Sequence, residues 1–573
     1  MKTSSISLRH FLLSLALMVA FAVPSVYAAT ITADPTAADS DGTATDTKCS
    51  LREAVLSVND GVTVAADCAA ATTGTLGTDD IINLMSATYT LSLGGVDETA
   101  IGTAASAVVS NVPDATVGDL DVLKSVKIIG AGSGATRIEW AAAVAPDATN
   151  TDRIFHIYTT DNATTNVDVA IQGVTLSGGK TFQVDLGADS VIPTLHYYLR
   201  RAGGALAMGP AAAVVTIDTT LTGSANANAG GSGGGGETAA TATAYTLALT
   251  DVIVDTNSAE GDGGGLYIAA PTTATNVVLS NNTSTTNGGG IYNEANTTIT
   301  NSTLSGNISE GGGGLFATGA NTVTIKGSTL SGNTAVGGGA LSSRSGVVVS
   351  MVNSTVSGNI GSDVGAGLYT NGAMNLNFVT IAKNISAADS AGAGSGINTF
   401  PSGGGAITLK NVLLQGNLRG ALGNIPANCG GTGNAVTVDS LGHNLSSDTT
   451  CDNATWLNDT TDKNNIDPKI AVLAANGGLT LTHALLAGSP ALGAGLATSG
   501  VTTDQRGIAR DATPDIGAYE VPNPISVAPP VGSGGGGGCT VNPDAQFDAG
   551  LLALLAAALG GLMLRRRRSA VRN

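Results

Sequence analysis

Short runs of alternating apolar and polar residues recur through the middle of the chain. In "NTVTIKGSTLSGN" (321–333), Val323, Ile325 and Leu330 occupy the apolar positions of two runs separated by a Gly-Ser break. A two-residue period in β-branched sequence predicts β-strands. The second run ends at Asn333, and the glycine cluster Gly337 to Gly339 follows it. The pattern predicts short strands joined by sharp bends, with the three apolar side chains pointing inward.

This unit repeats along the chain. Asparagines recur 25, 25, 26, 26 and 25 residues apart, at Asn257, Asn282, Asn307, Asn333, Asn359 and Asn384. A fixed period of this size is typical of a solenoid or a propeller. Helical repeats are excluded by the β-branched alternation, and a propeller blade needs about 40 residues. We therefore predict an all-β fold, a single-stranded right-handed parallel β-helix (solenoid) with about 25 residues per coil.

The asparagines and glycines are expected to form the bends of each coil. Both residue types tolerate the left-handed backbone region. Asparagine side chains that stack in successive coils can hydrogen-bond along the stack, so the six repeated asparagines predict a structural ladder. The β-helix is expected over residues 120–420, from "GDLDVLKSVKIIGAGSGATRIEW" to "AITLKNVLLQGN", with one coil split by an insertion near residue 190.

Residues 29–119 precede the repeats and are expected to cap the open end of the solenoid, which would otherwise expose unpaired strand edges. The segment "CSLREAVLSVND" (49–60) predicts a short amphipathic helix. Ser50 and Glu53 form a Ser-x-x-Glu capping box. Cys49 and Cys68 are close in sequence and are expected to form a disulfide.

The motif "CSLREAV" is similar to the signature of the CSLREA domain, which occurs at the start of exported bacterial β-helix proteins. Residues 421–520 contain "NCGGTGNAVTVDSLGHNLSSDTTC" and "TDQRGIARDATPDIGAYE" and resemble the choice-of-anchor Q domain. Such proteins often carry Cys before "DIGAYE", but Pro514 stands here, so that disulfide is lost. The "SGN … GGGL" units resemble repeats of polymorphic outer membrane proteins, which implies adhesin-like use. No catalytic residue follows from these resemblances.

The second cap, residues 421–520, carries a set of polar residues that could suggest a site. These are His443, His483, Asp504, Arg506, Asp515 and Glu520. They fall in turns marked by Gly and Pro, so we interpret them as structural, with Arg506 pairing with Asp515 or Glu520. Cys429 and Cys451 are expected to form a second local disulfide, which leaves Cys539 alone.

Both ends of the chain predict export. Residues 1–28 have the basic, apolar and small-residue regions of a signal peptide. A Gly-rich linker (521–538) precedes residues 539–573, where a 16-residue apolar run ends in Arg565 to Arg568. This arrangement resembles bacterial sorting signals, in which a membrane protease processes a motif such as that of Cys539. A plain membrane anchor is the alternative. The expected location is the cell surface, the outer membrane or the medium, or the inner membrane facing the periplasm.

The composition agrees with a narrow, small-residue core. The chain has 573 residues, of which 79 are glycine, 42% are hydrophobic and 3% are aromatic. The formal net charge of −18 makes nucleic acid an unfavourable partner. We expect no cofactor.

An insertion concentrates aromatic and basic side chains in a chain that has few of either. The segment "SVIPTLHYYLRRAGG" (190–204) contains His196, Tyr197, Tyr198, Arg200 and Arg201. Tyrosines on a loop suit sugar stacking or a protein contact. The alternative is a loop that folds onto the coil and only covers it.

A metal site is not expected, and the acidic residues are weak candidates for one. Asp255, Glu260 and Asp262 fall close together in one coil, and Glu310 has the phase of Glu260 two coils later. Carboxylates at such spacing can bind a cation weakly. They are more often solvated turn residues.

Taken together, the sequence predicts an exported, surface-anchored β-helix protein that adheres to a cell-envelope or host-surface glycan or protein. No catalytic activity is evident. The alternative is a carbohydrate-active β-helix enzyme, either a polysaccharide lyase or a hydrolase. Such an enzyme requires carboxylates and an Arg or Lys that converge on one flank of the helix.

Overall fold

The computed structural model describes most of the chain between residues 28 and 522. The described segments are 28–39, 47–77, 79–93, 119–140, 153–157, 167–181, 205–208, 245–387, 393–399, 405–431, 437–452 and 455–522. The predicted signal peptide up to residue 27, the insertion at 190–204 and residues 523–573, which include the predicted C-terminal helix, lie outside them. No helix of the described segments is long and apolar enough to cross a membrane.

Successive repeats pair as parallel strands in register, which confirms the predicted parallel β-helix. Leu279, Leu304, Leu330 and Val356 are consecutive partners along one line of strands. All four are fully buried. Like residues of neighbouring coils therefore lie one above the next, as the repeat predicts.

The strands of each coil fall into three sheets. Sheet 1 has 22 strands in two parallel lines. Its first line contains Thr30–Ala33, Asp80–Leu84, Val126–Ile129, Val167–Gln172, Tyr245–Thr250, Thr272–Thr275, Thr297–Thr300, Thr322–Lys326, Val348–Ser357, Ala373–Ala382, Ala406–Lys410 and Thr437–Ser440. Its second line contains Thr88–Leu91, Arg137–Trp140, Thr175–Ser177, Ile253–Asp255, Val278–Ser280, Thr303–Ser305, Thr329–Ser331, the later halves of the two long strands, Leu413–Gln415 and Leu445–Ser446. Thr72–Thr73 pairs antiparallel at the edge of Thr30–Ala33.

Sheet 2 has ten strands, and sheet 3 is made of very short ones. Sheet 2 contains Leu120–Val122, Phe155–Ile157, Leu206–Met208, Leu266–Ile268, Ile291–Asn293, Leu315–Ala317, Leu341–Ser343, Leu368–Thr370, Ile397–Thr399 and Cys429–Gly431. Sheet 3 contains Lys180–Thr181, Ser258–Ala259, Thr283–Ser284, Thr334–Ala335, Ile360–Gly361, Ile385–Ser386, Leu418–Arg419 and Ile425–Pro426. Aliphatic side chains from the sheets fill the interior of the helix.

The buried asparagines form a continuous hydrogen-bonded ladder. The side-chain Nδ2 of each donates to Oδ1 of the next, at 2.8 to 3.0 Å, from Asn257 through Asn282, Asn307, Asn333, Asn359 and Asn384 to Asn417 and Asn428. The last two members were not recognised in the sequence, because the spacing there changes to 33 and then 11 residues. The ladder ends where the backbone N–H of Asn428 donates to Asp448.

The ladder asparagines do not themselves adopt the left-handed conformation, which corrects our expectation for the bends. The residue before each of the first seven ladder asparagines has a positive φ instead: Thr256, Asn281, Gly306, Gly332, Gly358, Lys383 and Gly416. The ladder position that follows suits asparagine because its side-chain amide satisfies buried backbone groups. The glycine of each Ser-Gly-Asn therefore makes the turn.

The N-terminal cap includes the first coils of the helix. Strand Thr30–Ala33 pairs in parallel with Asp80–Leu84, which pairs with Val126–Ile129, so the β-helix begins well before residue 120. Helix α1 (Leu51–Asp60) begins with the predicted capping box, and helix α2 (Ala66–Ala71) follows it. The Cys49–Cys68 disulfide joins the two helical regions.

Helix α1 closes the edge of sheet 2. Arg52 Nη1 donates to the backbone oxygen of Asp119 at 3.1 Å. Asn59 Nδ2 donates to the backbone oxygen of Asp121 at 2.7 Å, and the Leu123 N–H donates to Asn59 Oδ1. These side chains take the place of a further strand, so the end of the sheet cannot pair with another chain.

At the other end, the helix continues past residue 420 and the chain then folds back along its side. Strands Thr437–Ser440 and Leu445–Ser446 add one more coil. The antiparallel hairpin of Ile470–Ala474 and Thr482–Leu485 belongs to residues 465–522, here called the C-terminal arm. The arm lies against the outside of sheet 1, and Thr480 Oγ1 donates to the Gly327 backbone oxygen at 2.8 Å. The segment predicted as the second cap therefore adds the last coil of the helix and also covers part of the outer face of sheet 1.

Candidate functional site

Aromatic side chains line up on the outer face of sheet 2. Tyr267, Tyr292 and Phe316 are the middle residues of three neighbouring strands, lie outside the main core cluster and are aligned by register. Their ring centroids are 5.1 and 5.5 Å apart, with planes tilted by 14° and 8°. Tyr369 lies two coils further along the same line. We call these four residues the aromatic row.

Polar groups flank the aromatic row. The Tyr267 hydroxyl donates to Glu294 Oε2 at 3.0 Å, and the Tyr292 hydroxyl donates to Glu294 Oε1 at 3.2 Å. Burial and the Glu294 charge raise the pKa of Tyr267, so its hydroxyl keeps its proton. The Arg344 guanidinium lies 5.3 Å from the centre of the Phe316 ring. The row therefore combines apolar ring surface with hydrogen-bonding groups and one cation.

The degree of exposure differs along the row. Tyr292 and Tyr369 are half-buried, whereas Tyr267 and Phe316 are buried. Burial and the charge of Asp363 raise the pKa of Tyr369 to about 12. Glycine at positions 311 and 337 leaves room for the rings, since a side chain there would contact Phe316 and Tyr369 respectively. The two half-buried tyrosines offer the surface that a ligand can reach.

Ionisable side chains occupy the first coils of the same face. His156 aligns with Asp121 in register, and His156 Nδ1 lies 3.3 Å from Asp121 Oδ1. Arg153 Nε lies 3.0 Å from Asp119 Oδ2. All four side chains are buried. Sequence reasoning missed this cluster, although the common phase of "LDV" and "FHI" in adjacent coils was a usable signal.

The acidic residues considered as weak cation-binding candidates do not converge. Asp255 Oδ1 accepts from Ser280 and Asn281, and Asp262 Oδ1 accepts from Thr286 and Asn287, all in the next coil. Within the described segments, three or more potential ligand atoms come within 4.8 Å of one another at Cys49, Glu53 and Cys68 and at Asp119, Asp121 and His156. Asp255, Glu260 and Asp262 form no such group. The two aspartates tie coils together.

The polar residues of the second cap hold the C-terminal arm, and the predicted partner of Arg506 needs correction. Arg506 pairs with Asp504 at 2.7 Å and donates to the backbone oxygen of Glu520. The Glu520 carboxylate pairs instead with Arg510 at 2.9 Å. The prediction considered only more distant carboxylates, but Asp504 is two residues away in a tight turn.

The remaining cap residues are also placed by hydrogen bonds. The Asp515 carboxylate accepts from the backbone N–H of Gly493 and of Val521. His443 Nδ1 lies 2.8 Å from the Ala494 backbone oxygen. His483 contacts Ser357 of sheet 1. The Cys429–Cys451 disulfide joins the last strand of sheet 2 to the loop that caps it.

The remaining predicted site residues lie outside the described segments. They are His196, Tyr197, Tyr198, Arg200, Arg201 and Cys539. Leu206–Met208, the first described strand after the insertion, pairs with Phe155–Ile157 on one side and with Leu266–Ile268 on the other. The chain thus enters sheet 2 between His156 and Tyr267.

The strand pairing defines the chain as a parallel β-helix protein. No protein-family model and no curated protein sequence matches it, so the CSLREA and choice-of-anchor Q resemblances stay predictions. Among solved structures it is similar to pectate lyase Pel9A, with a TM-score of 0.42 and 12% identity over 86% of this chain and 96% of that one. It is also similar to the A-modules of two Azotobacter vinelandii mannuronan C-5 epimerases. AlgE4 gives a TM-score of 0.30 and 12% identity over 64% of this chain and 85% of that one. AlgE6 gives a TM-score of 0.26 and 13% identity over 63% of this chain and 91% of that one. These scores carry no argument about substrate or reaction.

Proposed function

We propose that the protein binds a neutral polysaccharide along the outer face of sheet 2. The observation that carries the proposal is the aromatic row, in which side chains of successive coils present ring surface and hydroxyl groups in one line. Tyrosine offers a large apolar face and a polar tip, a combination that suits sugar rings with their C–H faces and hydroxyls. A linear polysaccharide can follow such a line across several coils.

Charge supports a neutral ligand. The chain carries a formal net charge of −18, and Glu294 stands beside Tyr267 and Tyr292. A negatively charged surface repels polyanions such as polyuronates. A neutral glycan meets no such barrier, and its hydroxyls can donate to the Glu294 carboxylate.

Affinity electrophoresis of the full-length protein in gels that contain a neutral β-glucan or galactomannan tests the proposal. Tyr292→Ala should weaken retardation about tenfold, which corresponds to about 1.4 kcal/mol of lost binding free energy. Thr298→Ala, on sheet 1, is the matched control and should bind as the parent does. Equal retardation of the parent and Tyr292→Ala would overturn the proposal, as would stronger binding to alginate than to the neutral glycan.

The predicted loop ligands extend the same proposal. In sequence, Tyr197 and Tyr198 come shortly before the strand Leu206–Met208, which pairs in register with the strand of Tyr267. We propose that these tyrosines contribute to the same glycan contact. The double variant Tyr197→Ala, Tyr198→Ala should lose binding without a change in melting temperature, and unchanged binding would exclude the loop.

A carbohydrate-active enzyme is the second candidate, and the Asp121–His156 pair favours it. An imidazole and a carboxylate 3.3 Å apart are two of the groups that general acid–base catalysis uses. The pair stands on the same face as the aromatic row. Turnover of polysaccharide, measured as new reducing ends or as absorbance of an unsaturated product, should then disappear in His156→Ala. Absence of turnover in the parent protein would exclude the enzyme candidate, and only the binding proposal would stand.

We further propose that the protein works outside the cytoplasm. The two disulfides support this location, because cytosolic thiols are kept reduced. Cell-surface sorting through Cys539, with its membrane protease, and simple anchoring through the C-terminal helix predict different mature chains. Mass spectrometry of the mature C-terminus distinguishes them, since an intact Arg565 to Arg568 tail is incompatible with processing.

A further inference from the structure

The C-terminal arm brings a histidine onto a serine of sheet 1. Ser357 Oγ lies 2.8 Å from His483 Nε2. On the other side of the imidazole ring, His483 Nδ1 lies 2.7 Å from the backbone oxygen of Ala471. Ser357 and His483 are 126 residues apart in sequence, so the docking of the arm creates this contact.

The two contacts determine the tautomer of the imidazole. A carbonyl oxygen only accepts, so Nδ1 carries the proton and donates to Ala471. In the neutral ring Nε2 is then an acceptor, and the Ser357 hydroxyl donates to it. Burial and the nearby Lys383 charge lower the pKa of His483, which keeps the ring neutral near pH 7. Nucleophile, base and a group that orients the base are thus in place.

The pair faces a cavity of about 590 Å³ between sheet 1 and the arm. Its walls combine apolar groups of Ile470 and Val472 with Ser331 and Lys383. Lys383 therefore places a cation in the wall of the same cavity as the Ser357–His483 pair.

We propose that Ser357 and His483 form a nucleophile–base pair that hydrolyses short-chain carboxylic esters in this cavity. The Ser357 oxygen attacks the carbonyl carbon of the ester while its proton passes to His483 Nε2. Collapse of the tetrahedral adduct breaks the bond to the alcohol, which leaves with that proton. Water, deprotonated by His483, then releases the carboxylic acid and restores the serine. No other reactant is required.

The surroundings determine the substrate class. Ile470 and Val472 offer apolar surface for a short acyl chain, and the exposed Lys383 ammonium supplies positive charge at the cavity where the oxyanion of the adduct develops. This activity does not depend on glycan binding, because the cavity lies against sheet 1 and the aromatic row lies on sheet 2.

A fluorophosphonate probe and p-nitrophenyl butyrate, applied to the full-length protein, test the assignment. The parent should be labelled on Ser357 and should hydrolyse the ester. Ser357→Ala should lose the label, and hydrolysis should fall by at least about a hundredfold. Ser305→Ala removes a serine of the same strand line that lies outside the cavity, and it should keep both activities.

Two further variants keep the test decisive if Ser357→Ala unfolds. His483→Gln should abolish labelling while circular dichroism shows the β-helix intact. Lys383→Met leaves the Ser357–His483 contact in place and should lower kcat with little change in KM, because its charge acts on the oxyanion. Absence of labelling in the folded parent would overturn the assignment, as would labelling that persists in Ser357→Ala or moves to Ser331.

Discussion

The side-chain oxygen of Asn359 accepts two hydrogen bonds from Asn333, one from its Nδ2 at 2.9 Å and one from its backbone N–H at 3.0 Å. The same Asn333 Nδ2 also donates to the Leu304 backbone oxygen at 2.9 Å. The Asn333 amide, which also accepts from the Asn307 backbone N–H, therefore satisfies two buried backbone groups of the preceding coil and bonds to the next ladder side chain. This arrangement explains why asparagine, rather than another polar residue, recurs at the position.

Asn333→Ala should destabilise the protein strongly. It removes the acceptor of the Asn307 amide and leaves several buried groups without partners, at about 1–3 kcal/mol each. We expect a loss of at least about 3 kcal/mol in the free energy of unfolding, measured by urea denaturation. Asn296→Ala, at an exposed position, should cost less than about 1 kcal/mol. Similar losses in the two variants would refute the role of the ladder.

Two glycines should respond differently to alanine. Gly313 lies where coils approach closely, and a Cβ there would stand 2.5 Å from the Gly339 backbone oxygen. Gly358 has a φ of +65° but open space around the Cβ position. We expect Gly313→Ala to cost about 3 kcal/mol through the clash and Gly358→Ala about 1 kcal/mol through backbone strain. Thermal melts of both variants would show the order, and the reverse order would contradict this explanation.

Gln505→Ala should release the C-terminal arm from sheet 1. Gln505 is buried, and its Nε2 donates to Thr329 Oγ1 and Thr480 Oγ1, both at 2.9 Å. Its Oε1 accepts from Thr355 Oγ1 at 2.7 Å. We expect faster amide hydrogen exchange across residues 465–522 and no change in the ladder coils. Unchanged exchange in the arm would show that other contacts hold it alone.

His483 should make stability fall as the pH is lowered. Its pKa is depressed in the folded state, so the unfolded chain binds more protons below about pH 6.5. The contribution is fully present above that pH and is lost as the pH falls through the folded-state pKa. Urea denaturation between pH 5 and 8 should show a steeper loss for the parent than for His483→Gln. Because the buried carboxyls of Asp515 and Glu520 have raised pKa values and act in the opposite sense, the difference between the two slopes is the measurement.

The repeated part of the fold was predictable, because each coil must bury apolar side chains at the same positions as its neighbours. Val323, Ile325 and Leu330 are buried as their alternation predicts. Ser50 and Glu53 form the capping box that their spacing indicates. These features depend on contacts within one coil or between identical neighbours, which a periodic sequence displays directly.

The candidate sites were less predictable, because they arise from contacts that the period does not encode. Tyr267, Tyr292 and Phe316 share a phase in adjacent coils, but one aromatic residue per three-residue strand is too short a pattern to show which face of the strand it occupies. Ser357 and His483 meet only because the arm folds back along the helix. The sequence of the arm does not repeat, so the period of the coils gives no information on where the arm contacts the helix.

The ladder keeps its geometry although the chain between its members changes in length. Asn359 and Asn384 are 25 residues apart, Asn384 and Asn417 are 33 apart, and Asn417 and Asn428 are 11 apart, yet each contact measures 2.8 Å. The hydrogen bonds of the column do not depend on how many residues separate its members. In-phase duplication or deletion of a whole coil should therefore give a folded rod of a different length, which offers evolution and protein engineers a way to adjust its reach one coil at a time.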